Sequence, residues 1–470
     1  MKASAILSLM ISITHDTIVA PATTYGKSSL NVIRLSGKDA LKIASKICKK
    51  DSNFFIPRHV YLLKTYFSDG SLLDESIVLY FKAPNSYTTE DIIEFQCHGG
   101  FFIAQSLIDE CIKQGARIAQ GGEFTKRAFL GGRIDLTQAK AIATLIETSN
   151  AQAHKMLMRH LKGEMQDFCE NLRKKLIEIL AHSEVFIDYA DEDLPQDLIS
   201  NLQEKLNNIT KNLNNLLEQS LQKKNLFSGY KVCIIGKPNV GKSSLLNAFL
   251  QNNRAIVSEV AGTTRDSIEE NFMLGSHLLR LIDTAGIRNS EDLIEKEGIK
   301  RSREKAKESD LLIALFDGSR HFDSEDEEIV KILEENKNIK KILVIINKID
   351  LQNNFDKSKI SSFNPLFLSL KDSHLHCDES LLSKIKNSLE NILDEEFNDD
   401  SLLLTSSYQY EAVKNTINSI KEAQAPLEFG ELELFSFHIN EAIKSIASIT
   451  RPYEYSQMLD VMFSDFCLGK

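Results

Sequence analysis

Residues Gly236 to Ser243 read G-K-P-N-V-G-K-S, a complete GxxxxGK[ST] phosphate loop. A string of this kind works only between a buried strand and the first turn of a helix, because the glycines curl backbone N–H groups around phosphate oxygens and the helix N-terminus adds partial positive charge. Both flanks are present. Lys231-Val232-Cys233-Ile234-Ile235 is an apolar strand, and Ser244 to Leu250 reads as a helix. Lys242 is expected to reach the β- and γ-phosphates and the Ser243 hydroxyl to bind Mg²⁺. Downstream, Asn347-Lys348-Ile349-Asp350 is an NKxD motif. The Asp350 carboxylate offers two acceptor oxygens, which match the adjacent N1–H and amine of guanine but not adenine. A site built for such paired hydrogen bonds rejects the wrong partner by roughly 10⁴–10⁵. The fold class implied is α/β around a guanine-nucleotide site, with GTP the expected ligand.

The remaining pieces follow in order. Gly262-Thr263-Thr264-Arg265-Asp266 places Thr264 to close on Mg²⁺. Asp283-Thr284-Ala285-Gly286 ends the apolar strand 278–282 as DxxG, where Asp283 would hold Mg²⁺ through water and the Gly286 N–H would sense the γ-phosphate. Ser369-Leu370-Lys371 stands where a base-edge loop belongs, after the strand 365–368, with Leu where Ala is usual. The expected nucleotide contacts are therefore Asn239, Val240, Gly241, Lys242, Ser243 and Ser244, the loop Ser258, Glu259, Val260, Ala261, Gly262, Thr263 and Thr264, then Asp283 to Gly286 with Thr284 and Ala285, Asn347 to Asp350 with Lys348 and Ile349, and Ser369, Leu370 and Lys371.

At 470 residues the chain exceeds a single core. Residues 16 to about 130 read as short strands (17–20, 30–35, 60–67, 77–81, 92–96, 117–119) with one clear helix, 101–114, after Gly99-Gly100. From Leu136 to about Gln222 apolar residues recur at helical spacing. Strands alternate with helices from Lys231 to about Ser383, the signature of a parallel sheet, and the end is helical again. The expected architecture is multidomain: an N-terminal α+β domain (1–134), a helical domain (135–227), an inserted Ras-like P-loop GTPase domain (228–385) and a second helical part (386–470). The two helical parts are expected to pack as one bundle that feels the switch movements of the inserted domain. Five acidic residues between Asp323 and Glu328 read as an exposed helix face.

The net charge of −10 lacks the basic footprint of a protein that holds nucleic acid by its own surface, so any RNA contact is expected to be local or delegated to a partner. Seven cysteines without a CxxC pair fit a reducing cytoplasm rather than disulfides. No apolar run reaches the length of a membrane span, and no membrane partner is expected. The first residues read as an extension with Met1 or Met10 as start, and only faintly as a signal peptide.

Ile287 follows DxxG, where Ras-type enzymes place a water-orienting Gln. Catalysis is therefore expected from elsewhere. Asn239 could hold a monovalent cation beside the phosphates, or simply form a turn. A carboxylate from the acidic segment 291–297 could position the water, or be surface charge. Cys97-His98 invites a metal or nucleophile reading, but two residues make no site and a structural role is the expectation.

Taken together the motifs closely resemble the MnmE (TrmE) family of tRNA modification GTPases. Besides the GTPase motifs, the resemblance rests on Asp16–Ala20 with Arg34–Gly37, Tyr87–Asp91 running to Glu94–Gly100, Gly122–Leu130 with Arg133–Ala139, and the C-terminal Phe466-Cys467-Leu468-Gly469-Lys470. It implies an N-terminal domain that dimerises the protein and binds a tetrahydrofolate derivative (5-formyl or 5,10-methylene) through Arg34, Glu94, Arg133 and Lys470. It further implies potassium activation through Asn239, Ser258, Val260 and Thr263, catalysis with Glu295, and assembly with the flavoprotein MnmG into a heterotetramer. MnmG would carry FAD and most of the tRNA contact, and the pair would add a carboxymethylaminomethyl-type group to C5 of the wobble uridine. Cys467, beside the folate site, would either take part in that chemistry or anchor the tail. Arg133 stands where Lys is usual, Gly131 where Asn is usual, Ser407-Tyr408-Gln409 where a basic pair is usual, and Arg451-Pro452 where Gly-Glu is usual. The competing expectation is a ribosome-assembly GTPase of the Era or Der type, but those carry a basic RNA-binding domain where this chain has an acidic helical tail. A dynamin-type remodelling GTPase would need an apolar paddle or basic stripe, and neither is visible.

Overall fold

A computed structural model describes residues 16–24, 26, 28–148, 151–187, 196–252, 270–274, 277–282, 303–352, 354–370, 379–394, 402–451 and 469. The chain divides into two compact units, one of residues 1–143, 159–213 and 406–470, the other of 144–158 and 214–405.

In the first unit, β1 (Ile18–Pro21), β2 (Leu30–Ser36), β3 (Val60–Tyr66), β4 (Leu72–Phe81), β5 (Ile92–His98) and β6 (Arg117–Ile118) form one sheet in the order β3-β4-β5-β2-β1-β6. Strand alternation sorts the side chains. Ile33 and Leu35 of β2 and Ile93, Phe95 and Cys97 of β5 face a core closed by helices Ala40–Cys48 and Phe101–Lys113, which supply Ile43, Ile47, Leu107 and Ile108. The residues between them point to the opposite face, so the antiparallel register of β2 and β5 sets Arg34 directly opposite Glu94. The strands lie close to where the sequence put them, with two differences. β4 starts at Leu72, five residues before the apolar run shows, because Asp74 and Ser76 are buried polar positions that mask the alternation. Helices Ala40–Cys48 and Glu123–Leu130 lie where only strands and turns were expected, being short and without side-chain N-caps.

The helical segments from either side of the inserted domain pack together in this unit. Helix Leu432–Ser448 lies against both Glu164–Ile187 and Ser407–Phe429. Ser183 and Ser436 meet through their hydroxyls at 3.3 Å, and Gln424 donates to Asn207 at 3.0 Å. No helix among the described residues is long and apolar enough to cross a membrane.

The second unit holds β7 (Tyr230–Gly236), β8 (Glu270–Leu274), β9 (His277–Leu281), β10 (Leu311–Asp317), β11 (Lys341–Asn347) and β12 (Leu366–Phe367), ordered β12-β11-β10-β7-β9-β8. Five strands run parallel, as the alternation of strands and helices requires, and β8 adds an antiparallel edge. Every residue of the inner strand β10 is buried. Helix Lys242–Asn252 covers one face with Leu245, Leu246 and Phe249. Helix Ser324–Asn336 covers the other with Ile329, Ile332 and Leu333. Helix Glu379–Asp394 also sends Ile385, Leu389 and Leu393 into this core, so position 385, the expected domain boundary, lies inside a helix that packs on the sheet. Apolar spacing shows that a helix has a buried face but not which core it faces.

Candidate functional site

The phosphate loop joins β7 to helix Lys242–Asn252, the strand–loop–helix arrangement the motif requires. Asn239 adopts φ +64°, a left-handed turn that Asn tolerates well. Gly241 adopts φ +109°, and a Cβ there would lie 2.3 Å from Asn347 Nδ2, so only glycine fits. The half-buried Lys242 donates its amine to the Gly236 and Lys237 carbonyls, each at 2.7 Å. Burial lowers this lysine to about pKa 8. A cation held by carbonyls at the mouth of a loop of N–H groups fits a polyphosphate, whose charge would restore the lysine's own. Ser243 is an exposed residue on the first helical turn, where a Mg²⁺ ligand belongs.

Asn347 ties this loop to the base side. Its amide donates to the Val240 carbonyl at 2.7 Å and its oxygen accepts from the Leu370 N–H at 2.9 Å, with the side chain buried. Ser369 donates to Asp350 Oδ1 at 2.6 Å. Ser369 and Leu370 thus lie against Asp350 and Asn347 of the NKxD motif. Lys348 pairs at 2.7 Å with buried Asp317, at the carboxyl end of β10. Burial raises Asp317, but the Lys348 and Ser319 hydrogen bonds outweigh it and hold the carboxyl below its ordinary range.

Sequence reasoning missed the anchor of the loop's first turn. Lys237 is buried and pairs with Asp323 at 2.6 Å and Asp326 at 2.8 Å, the two residues of the capping box that starts helix Ser324–Asn336. The acidic run is thus only partly a solvated face, since Asp326 is buried against Lys237. Burial opposes the Lys237 charge, but the two carboxylates raise its pKa overall. The available signal was Asp323 and Asp326 at capping-box spacing. Asp317 was missed too, although an acidic residue at the carboxyl end of a buried strand lies where α/β sheets place ligands.

The first unit holds a second candidate site. Arg34 Nε donates to Glu94 Oε1 at 2.9 Å, and the Arg34 guanidinium lies 5.5 Å from the centre of the Tyr87 ring and 5.7 Å from that of Phe124. Arg133 lies 5.0 Å from the same Tyr87 ring and donates to the Tyr87 carbonyl at 2.9 Å. Tyr87, part of a motif but given no role from sequence, thus joins both arginines. Gly469 of the C-terminal motif brings its carbonyl to Arg34 Nη1 at 3.4 Å. It adopts φ +91°, and a Cβ there would lie 1.9 Å from the Pro21 carbonyl. The substituted Gly131 lets Thr89 approach to where a Cβ would be 2.1 Å from its hydroxyl.

Cys97 is buried, its thiol donating to the Asn31 carbonyl at 3.5 Å and pushed up to about 11 by burial. His98 points the other way, to Asp74 at 2.7 Å. No cluster that could hold a metal occurs among the described residues. Ser258 to Thr264, Asp283 to Gly286, Ile287, Glu295, Lys371, Cys467 and Lys470 lie outside the described residues.

Two family profiles match the chain: the GTP-binding protein TrmE N-terminus over residues 17–133 and the MnmE helical domain over residues 136–467. The tRNA modification GTPase MnmE of Sulfurimonas denitrificans is 51% identical over 456 residues, covering 97% of this chain and 100% of that protein. Proteins of the same description from Sulfurovum sp. (48% identical, 97% and 99% covered) and Campylobacter jejuni (43% identical, 97% and 100% covered) are similar over the same extent. Likeness of this kind along the whole chain sets aside the ribosome-assembly alternative.

Proposed function

From the premise that this chain belongs to the MnmE family of tRNA modification GTPases, and so is a GTP-hydrolysing enzyme, we propose that it modifies the wobble uridine of certain tRNAs with a tetrahydrofolate one-carbon donor and a MnmG-type flavoprotein. The observation that carries this reading is the meeting of Arg34, Glu94 and Gly469. It brings Gly469, of the family's C-terminal motif, to a place in the N-terminal domain where a carboxylate, two guanidinium groups and an aromatic ring converge. Glu94 suits the adjacent N–H donors of a pterin, Tyr87 offers a stacking face, and Arg34 and Arg133 suit the carboxylates of a folate tail. Lys470, next to Gly469 in sequence, would add a further cation.

In the nucleotide domain, Asp350 would select guanine and Lys242 would hold the β- and γ-phosphates, with Ser243, Thr264 and Asp283 serving Mg²⁺. Asn239, Ser258, Val260 and Thr263 would hold K⁺, which supplies the positive charge an arginine finger supplies elsewhere. Glu295 would orient the attacking water. The protein would act in the cytoplasm as a dimer formed through its N-terminal domain, with FAD and most of the tRNA held by the partner. Wobble-nucleoside mass spectrometry of tRNA from cells lacking the protein tests the reading. Loss of the carboxymethylaminomethyl-type nucleoside is expected, and normal modification would overturn it.

A further inference from the structure

We propose that the lysine-rich edge of helix Ala40–Cys48, together with the aromatic cluster beside it, is a direct contact surface for tRNA. The inference rests on the tRNA-modifying reading above and assigns part of the RNA contact to this chain.

The chain as a whole carries −10, yet residues 38–66 contain seven lysines and arginines against two aspartates. Lys42 and Lys46 lie one turn apart on the exposed side of the helix, Lys38 precedes the first turn, and Lys49 and Lys50 follow the last. Among the described residues none of Lys38, Lys42, Lys46 and Lys50 is ion-paired, although carboxylates outnumber cations in the chain. The helix dipole does not account for them. It favours cations at the C-terminal end, which suits Lys46, Lys49 and Lys50, but opposes them at the N-terminal end, where Lys38 and Lys42 stand.

The adjoining short turn Ser52–Phe54 presents Phe54, 38% exposed, with its ring 4.9 Å from that of Tyr61. The Tyr61 hydroxyl donates to the Phe54 carbonyl at 3.1 Å and accepts from the Ile56 N–H at 3.0 Å, so the cluster is fixed in place. Lys50 lies 5.2 Å from the Phe54 ring. Unpaired lysines beside a held, exposed ring suit an RNA whose phosphates meet the lysines while an unpaired base stacks on the ring. An anionic membrane would need the lysines but not a fixed aromatic stack.

The test uses the full chain and an unmodified tRNA transcript, with fluorescence anisotropy read across a salt series. Lys42→Gln/Lys46→Gln/Lys50→Gln is expected to weaken binding about tenfold or more and to flatten the slope of log K against log salt by about 2–3, one step per lost phosphate contact. Phe54→Ala is expected to weaken binding without changing the slope. Melting temperature and GTP hydrolysis should match the parent. Wild-type affinity and slope in the folded triple variant would overturn the proposal, as would a parent that binds no tRNA. Lost binding to phosphatidylserine vesicles with tRNA binding unchanged would reassign the surface to membrane. Normal wobble modification in cells lacking the protein would instead overturn the functional reading, whatever the anisotropy shows.

Discussion

The phosphate loop and the Arg34–Glu94 site are built in opposite ways. The loop is a run of eight consecutive residues whose spacing is dictated by backbone: Gly241 because a Cβ would strike Asn347, and Lys242 because its amine folds onto carbonyls five and six positions back. The Arg34–Glu94 site is assembled by register. Its two central residues are 60 positions apart and meet because β2 and β5 pair, and its third member, Gly469, comes from 435 positions away. A motif fixed by backbone is legible in one sequence. A motif fixed by strand register shows only as separate fragments, and its spacing carries no information until the sheet order is known.

That contrast explains what the sequence revealed. The strand–loop–helix unit and NKxD could be read by chemistry alone, and the Ser369 loop only as a partial match by its place after a strand. Arg34, Glu94 and Arg133 came only from resemblance to a family, and the role of Tyr87 did not emerge even so, because a ring joining two arginines leaves no periodic trace. Lys237 lies between the two cases. It belongs to the loop, but its partners Asp323 and Asp326 come from another helix, and a cluster of acidic residues reads as solvated surface until one of them is seen to be buried.

Changes inside the backbone-fixed site should have the largest effects and should leave the other site untouched. Gly241→Ala forces a side chain into Asn347 at a left-handed position and is expected to abolish GTP binding, measurable by nucleotide fluorescence. Retained affinity would mean that the loop is less constrained than its geometry. Asp350→Asn should weaken GTP binding by about 10²-fold or more and shift preference toward xanthine nucleotides; unchanged GTP affinity would refute the guanine assignment.

A smaller effect is expected from Asn347→Ala, which leaves the buried Leu370 N–H without its acceptor. About 1–3 kcal/mol of stability should be lost along with nucleotide affinity, read as a drop in the denaturation midpoint. If stability holds, Asn347 does not tie the two loops together.

Smaller still is the pH response of Lys242. In the free protein it loses its charge as pH rises through about 8, whereas a bound phosphate favours the charged form. Nucleotide affinity should therefore be full below pH 8 and fall above it, by up to about tenfold per pH unit. A flat profile between pH 7 and 9 would show that the lysine keeps its charge throughout.

Completion of the second site by the tail is probed by Gly469→Ala, because the added Cβ would collide with the Pro21 carbonyl and displace the residue from Arg34. Calorimetric titration of 5-formyltetrahydrofolate into the full chain and into this variant, with GTP titrated in parallel, is the measurement. Folate binding is expected to be lost or weakened at least about tenfold while GTP affinity is unchanged. Equal folate affinity in the two proteins, or no folate binding by the parent, would contradict it.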